Sequence, residues 1–400
     1  MIYKYKAVSQ TGEILEGFFE GNEESDVLAM LKGNNYMPVS VEKDIGAEAQ
    51  IDIFSKKVKK KDLAVFCRQF YTMLDAGIGI VKCIEILEKQ SENKSLVKSL
   101  GALFEDVQKG FTLSEGMKKH VKIFPSLLIN MVEAGEVSGN LDTIMERMAV
   151  HFEKESKLEN KIKSALIYPI ALAVVSIAVV IFLLVAVMPT FIGMFESSGQ
   201  ALPGPTQVLL NISNWLTEFW YLFIIIVVGI TAGFIAFKQT PTGRNVLDTL
   251  KLKIPVVKDT NIKIITSRFT RTLSTLMSSG IPLLQAIDVV ARVVGNKVVH
   301  DRLGIASENV RKGVSLSRAV SEIGVFPPMV DSMIKVGEES GSLDEILYKT
   351  ADFYDDEVEV ALQRMTSLME PVMLVVMAVV VGFIVIAMAM PMFDMVNTIQ

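Results

Sequence analysis

The 400-residue chain is half hydrophobic, has a mean hydropathy of +0.40 and carries a net charge of −5. That apolar content is high for a soluble chain and points to a membrane protein, while the acidic balance and the absence of a recognition motif argue against direct nucleic-acid binding. Cys67 and Cys83 form no CxxC pair, so neither a disulfide framework nor a thiol-redox centre is expected.

The amino terminus, MIYKYKAVSQTGE, has no apolar h-region, and no cleaved signal peptide is expected. Residues 2–8 alternate apolar and polar, Thr11-Gly12 interrupts, and Ile14 to Phe19 is apolar again, which predicts a hairpin. Val27, Leu28 and Leu31 then fall at helical spacing, and Met37 to Val41 is extended, so residues 1–45 read as a small β-β-α-β domain. Residues 46–61 read as a basic linker because KKVKKK at 56–61 interrupts any apolar period; it is either a solvated tether or a contact for anionic lipid or an acidic partner.

From Asp62 the pattern turns helical, and residues 62–164 read as a bundle of about six helices joined by short turns. Ile170 to Met188, Phe219 to Phe237 and Val372 to Met390 are three uncharged stretches, each about 28 Å long as a helix and able to span a bilayer. Residues 189–218 are the expected extracytoplasmic loop, 267–370 a second bundle, and 391–400 an extracytoplasmic tail. Pro169, Pro189, Pro371 and Pro391 mark the ends of two membrane helices. Lys154, Lys157, Lys161 and Lys163 precede the first span and Lys238, Arg244, Lys251 and Lys253 follow the second, whereas neither outer segment has a lysine or arginine. The positive-inside bias therefore places both bundles in the cytoplasm.

The chain is internally duplicated. Phe124 to Glu153 aligned without gaps on Phe326 to Asp355 gives 11 identities in 30 positions, and the same offset of 202 relates Pro169 to Pro371 and Pro189 to Pro391. In the repeated stretches FPSLLINMVEAGEVSGNLD and FPPMVDSMIKVGEESGSLD, Gly139 suits a left-handed helix stop, and Gly135, Gly337 and Gly341 read with it as turn and cap residues. Asn140 suits a cap, and Ser342 with Glu345 has capping-box spacing. Asp142 and Asp344 suit the first turn of the following helix. Capping leaves Glu136 and Glu338 without a purpose. Three readings stand for these turns: plain helix-turn-helix architecture, docking of a basic partner patch by Glu136, Asp142, Glu338 and Asp344, or a hard cation held by the same carboxylates.

No catalytic set is visible. There is no GxxxxGK[ST], no HExxH and no Cys/His cluster, and His120, His151 and His300 read as surface or helix-end residues. No catalytic residue, metal or cofactor is expected. A transporter or channel subunit is the alternative, weakened by spans without ionisable groups. Gly229 and Gly233, and Ala378 and Gly382, are small-xxx-small pairs that either let helices approach or simply reflect how common Gly and Ala are in membrane spans.

With YKAVSQTGEILEGFFE at the start, AGEVSGNLD and GEESGSLD in the two copies, SALIYP before the first span, ALPGPT in the outer loop and EPVMLVVMAVVVGFIVIAMAMPMFD at the end, the chain resembles the inner-membrane platform proteins of type IV pilus assembly and type II secretion, the GspF/PilC-like family. The resemblance implies a non-enzymatic homo-oligomeric scaffold. It would contact a cytoplasmic hexameric assembly or retraction ATPase, pilins or pseudopilins, other inner-membrane assembly proteins and membrane lipid. The expected fold is mostly α: two homologous cytoplasmic six-helix bundles, three transmembrane helices and a small α+β amino-terminal domain.

Overall fold

The computed structural model describes residues 2–8, 14–20, 31, 36–43, 57–191, 203–255 and 257–398. It divides into two compact units, residues 1–56 and 57–400. In the first, β1 (Ile2–Val8), β2 (Ile14–Glu20) and β3 (Met37–Lys43) form an antiparallel sheet in the order β2-β1-β3, with Tyr3 opposite Phe19 and Tyr5 opposite Val41. The helix expected over Glu23 to Lys32 lies outside the described residues except for Leu31, which is fully buried.

Among the described residues the second unit is built of helices joined by turns. Its first six helices are α1 (Lys60–Asp75), α2 (Ile80–Gln90), α3 (Lys94–Gln108), α4 (Leu113–Lys118), α5 (Ser126–Ser138) and α6 (Leu141–Phe182). After α7 (Gly204–Glu218), α8 (Trp220–Gln239) and α9 (Pro241–Lys251) come α10 (Val257–Ser278), α11 (Leu283–Val293), α12 (Lys297–Arg311), α13 (Leu316–Ser321), α14 (Pro328–Ser340) and α15 (Leu343–Thr398). Helix α1 begins inside the stretch read as linker, and α10 begins before residue 267. Ile80 to Leu283, Lys94 to Lys297 and Leu113 to Leu316 are each 203 apart, whereas Ser126 to Pro328 is 202, so the first copy has one extra residue in the turn before its Phe-Pro.

Local chemistry repeats with the helices. Asn93 accepts from the backbone N–H groups of Ser95 and Leu96 at 3.0 and 3.4 Å, and Asn296 accepts from Val298 and Val299 at 3.0 and 3.2 Å, capping α3 and α12 alike. The repeated Phe-Pro is a core anchor: Phe124 lies 5.9 Å from Phe66, and Phe326 lies 4.6 Å from Phe269. Buried residues of both copies form one connected apolar cluster, so the two sets of six helices share a core.

Three helices are long and apolar enough to cross a membrane: Leu141–Phe191, Trp220–Gln239 and Leu343–Met390. The protein is a membrane protein and mostly helical. The prolines expected at the ends of membrane helices do not end the helices themselves. Pro169 lies inside α6 and Pro371 and Pro391 inside α15, so the last helix of each copy and its span are one rod, about 75 Å long for the 51 residues of the first. Proline removes one N–H from a helix, a loss that neighbouring groups can make good at membrane depth.

How that loss is made good is visible at Pro189 and Pro391. Residues Leu183–Val187 form a π-helical turn in which the Met188 N–H reaches Leu183 O. In that register Leu184 O faces Pro189, which has no N–H, and the Ser213 hydroxyl donates to Leu184 O instead at 2.6 Å. In α15 the Ala387 carbonyl precedes Pro391 by four residues and is orphaned in the same way; the Thr206 hydroxyl donates to it. Both hydroxyls belong to α7, whose Leu209 packs with Leu184, Met188, Ile384 and Ala387. The stretch read as an open loop therefore contains a helix fastened to the ends of two spans.

Candidate functional site

The repeated acidic turns assemble from three elements each. Glu136 sits near the end of α5, and its Oε1 and Oε2 accept from the N–H groups of Leu113 and Ser114 at 2.5 and 3.2 Å. Glu338 does the same for Leu316 and Ser317 at 2.6 and 3.0 Å. Each carboxylate thus caps the start of a short helix, α4 or α13, placing negative charge at the positive end of its dipole. In the first copy the Thr112 hydroxyl accepts from Glu115 N–H at 3.2 Å, so the first three N–H groups of α4 are all occupied. The expectation that capping leaves Glu136 and Glu338 without a purpose is corrected. They cap, but they cap a helix some twenty residues upstream.

The other residues of the turns divide into tight approaches and caps. Gly139 and Gly341 are left-handed, at φ 75° and 70°, and end α5 and α14. Gly135 and Gly337 are ordinary helical residues whose importance is space. A Cβ on Gly135 would stand 2.9 Å from Ile144 Cγ1 and 3.2 Å from Leu141 Cα, and one on Gly337 would stand 2.9 Å from Leu343 Cα. They let α5 and α14 lie against the starts of α6 and α15. Asn140 occupies the cap position of α6 but makes no side-chain cap bond. The Ser342 hydroxyl lies 2.7 Å from that of Ser340, and Glu345 accepts from Lys349 at 2.7 Å. Asp142 and Asp344 lie in first turns, and the Asp344 carbonyl accepts from Ser274 at 2.8 Å. Among the described residues no three His, Cys, Asp or Glu side chains come together as a metal site.

A charged seam that sequence reasoning missed runs along the last helix of each copy and across from one copy to the other. Arg68 donates to Glu153 at 3.0 Å, and its counterpart Arg271 donates to Asp355 at 2.5 Å and to Asp352 at 2.7 Å. Ser267 also donates to Asp355. The two long helices are tied directly by Lys154 to Asp352 at 2.9 Å and Lys161 to Glu359 at 2.5 Å. Burial works to raise the Asp352 pKa, but hydrogen bonds from Lys154 and Arg271 and their charges bring it below the ordinary value.

His151 lies beside this seam and is 1% exposed, which corrects its reading as a surface or helix-end residue. Neither ring nitrogen has a hydrogen-bond partner among the described residues. Burial, assisted by the charges of Lys60 and Arg271, pushes its pKa down to about 3. The ring is neutral at ordinary pH. Both cysteines are free and buried, and burial pushes both thiols up, which makes them poor nucleophiles.

Geometry and relatives agree on a duplicated membrane protein. The sequence pattern of the family described as "Type II secretion system (T2SS), protein F" matches twice, over residues 66–189 and 269–391. The chain is 39% identical to "Type IV pilus assembly protein PilC" of Myxococcus xanthus, covering all of this chain and 96% of the relative, and 36% identical to the PilC of Thermus thermophilus, covering 100% and 99%. It is 34% identical to "Type II secretion system protein F" of Vibrio cholerae, over 99% of this chain and 98% of the relative. With both copies matched and full-length relatives of either name, the chain belongs to the type II secretion system protein F family.

Proposed function

We propose that this protein is an inner-membrane platform of a type IV pilus or type II secretion machine. Both helical copies face the cytoplasm, where they engage a hexameric ATPase and pass its movement to pilin or pseudopilin subunits in the bilayer. The observation that carries this reading is the continuity of α6 and α15 from the shared core into the membrane. A displacement of the core is then delivered to membrane depth without a flexible joint. Names of relatives from both machines support the setting, and the basic residues flanking the spans support the orientation. Helix α8 buries no residue within one chain, which suits lateral contact with lipid, pilin or further copies.

Inserting Gly-Gly-Gly between Ser164 and Ala165 tests the lever. Fibres or pseudopilus-dependent secretion should be lost although the protein inserts, melts as wild type and leaves ATP hydrolysis by the partner intact. Normal fibres from that variant, or from a deletion strain, would defeat the proposal. Substrate flux in proteoliposomes holding this protein alone would favour a transporter instead.

A further inference from the structure

Helix α9 is amphipathic with the usual arrangement reversed. Asp248, Lys251 and Arg244 fall on one helix face, and Asp248 is 3% exposed against α12, where it accepts from Lys297 N–H at 2.9 Å and from Lys251 Nζ at 2.8 Å. Val246 and Leu250 fall on the opposite face and are 45% and 44% exposed, followed by exposed Ile254 and Val257. A helix that docks by its charged face and shows its apolar face outward is stable only where something apolar covers it. It follows the span α8 through a tight corner: Thr240 caps α9, and a Cβ on Gly243 would stand 2.0 Å from Phe237 O. The exposed face is therefore held at the membrane boundary, where interfacial helices lie.

Beneath this helix are two adjoining cavities. One, of about 410 Å³, is lined by Gln239, Arg244, Arg292, Gly295, Lys297 and His300. The other, of about 800 Å³, shares Gln239, Arg244 and Gly295 and extends along Phe234 and Ile235 of the span, past Lys238. Arg244, Arg292 and Lys238 have no carboxylate partner among the described residues, while Lys297 is paired with Asp301 at 2.6 Å. Asp248, the carboxylate on this wall, is already engaged by Lys251 and the α12 N-terminus. The combined space offers unpaired guanidinium groups at one end and an apolar helix surface at the other. That is the complement of a phosphate joined to an acyl chain.

We propose that this cleft binds an anionic phospholipid, its phosphate between Arg244 and Arg292 and its tails along Phe234 and Ile235, with α9 lying in the headgroup layer. The bound lipid fixes the corner between span and second copy.

The full-length protein is reconstituted in vesicles of phosphatidylcholine alone or doped with phosphatidylglycerol, re-extracted in mild detergent, and its retained lipid measured by native mass spectrometry. Wild type should retain phosphatidylglycerol in preference to phosphatidylcholine, and the pair R244Q/R292Q should retain roughly tenfold less. R244K/R292K should keep most of the retention, which separates lost charge from lost fold. Equal retention by R244Q/R292Q with an unchanged melting curve would overturn the proposal. If that pair does not fold, wild type decides alone, because no preference for phosphatidylglycerol also overturns it. Displacement of the lipid by inorganic phosphate, with no effect of chain length, would reassign the cleft to a soluble anion and remove the lipid.

Discussion

Glu136 and Glu338 give their two carboxylate oxygens to two adjacent N–H groups each, so an amide cannot replace them. Glu136→Gln turns an NH₂ toward one of these donors and should cost about 1–2 kcal/mol in the unfolding free energy of the detergent-solubilised protein. A residue used only for docking would leave the melt unchanged. His151 sets an acid limit. Its folded pKa of about 3 lies well below its unfolded value, so the unfolded chain takes up a proton that the folded chain refuses. Stability is whole above about pH 6.5 and falls by about 1.4 kcal/mol per unit on acidification toward pH 3. His151→Leu should reduce that slope in denaturation curves measured across this range and be neutral or stabilising at pH 7, since it removes buried unpaired nitrogens. An unchanged slope would remove His151 from the account.

At the scale of elements, α7 acts as a splint for two proline-bearing helices. Thr206→Val and Ser213→Ala should each cost about 1–3 kcal/mol in a thermal melt in nanodiscs, because each leaves a buried carbonyl without a donor. The assignment has an internal control. In a Pro391→Ala background the helix supplies its own N–H to Ala387 O, and Thr206→Val should then be nearly silent. Additive losses in that double variant would mean that the hydroxyl serves some other purpose.

At the scale of the whole molecule, duplication makes one pair into two experiments. Arg68 and Glu153 are 38% and 40% exposed, whereas Arg271 is 6% exposed and bridges two carboxylates of α15 beside the seam. Arg68→Met should cost under about 1 kcal/mol, as exposed pairs do, and Arg271→Met about 2 kcal/mol, because it loses two charged hydrogen bonds from a buried guanidinium while Asp352 and Asp355 keep Lys154 and Ser267. Equal costs in denaturant unfolding would show that the seam is more hydrated than its packing indicates.

Sequence by itself determined the duplication, the three spans, the glycine stops and the family, because each is written in local periodicity, composition or near-identical words. It did not determine what Glu136, Ser213, Thr206, Arg271 and His151 touch. Their surroundings lie from about twenty to 181 residues away along the chain, and a helical period reports only a neighbour one turn off. One signal was within reach. Leu113-Ser114 and Leu316-Ser317 recur with Glu136 and Glu338, a co-retention that marks a tertiary cap. The proline splint left no such trace, since α7 occurs once and only packing brings its two hydroxyls to the carbonyls that Pro189 and Pro391 leave open. Backbone groups must be satisfied wherever water is absent, and tertiary structure chose the donors.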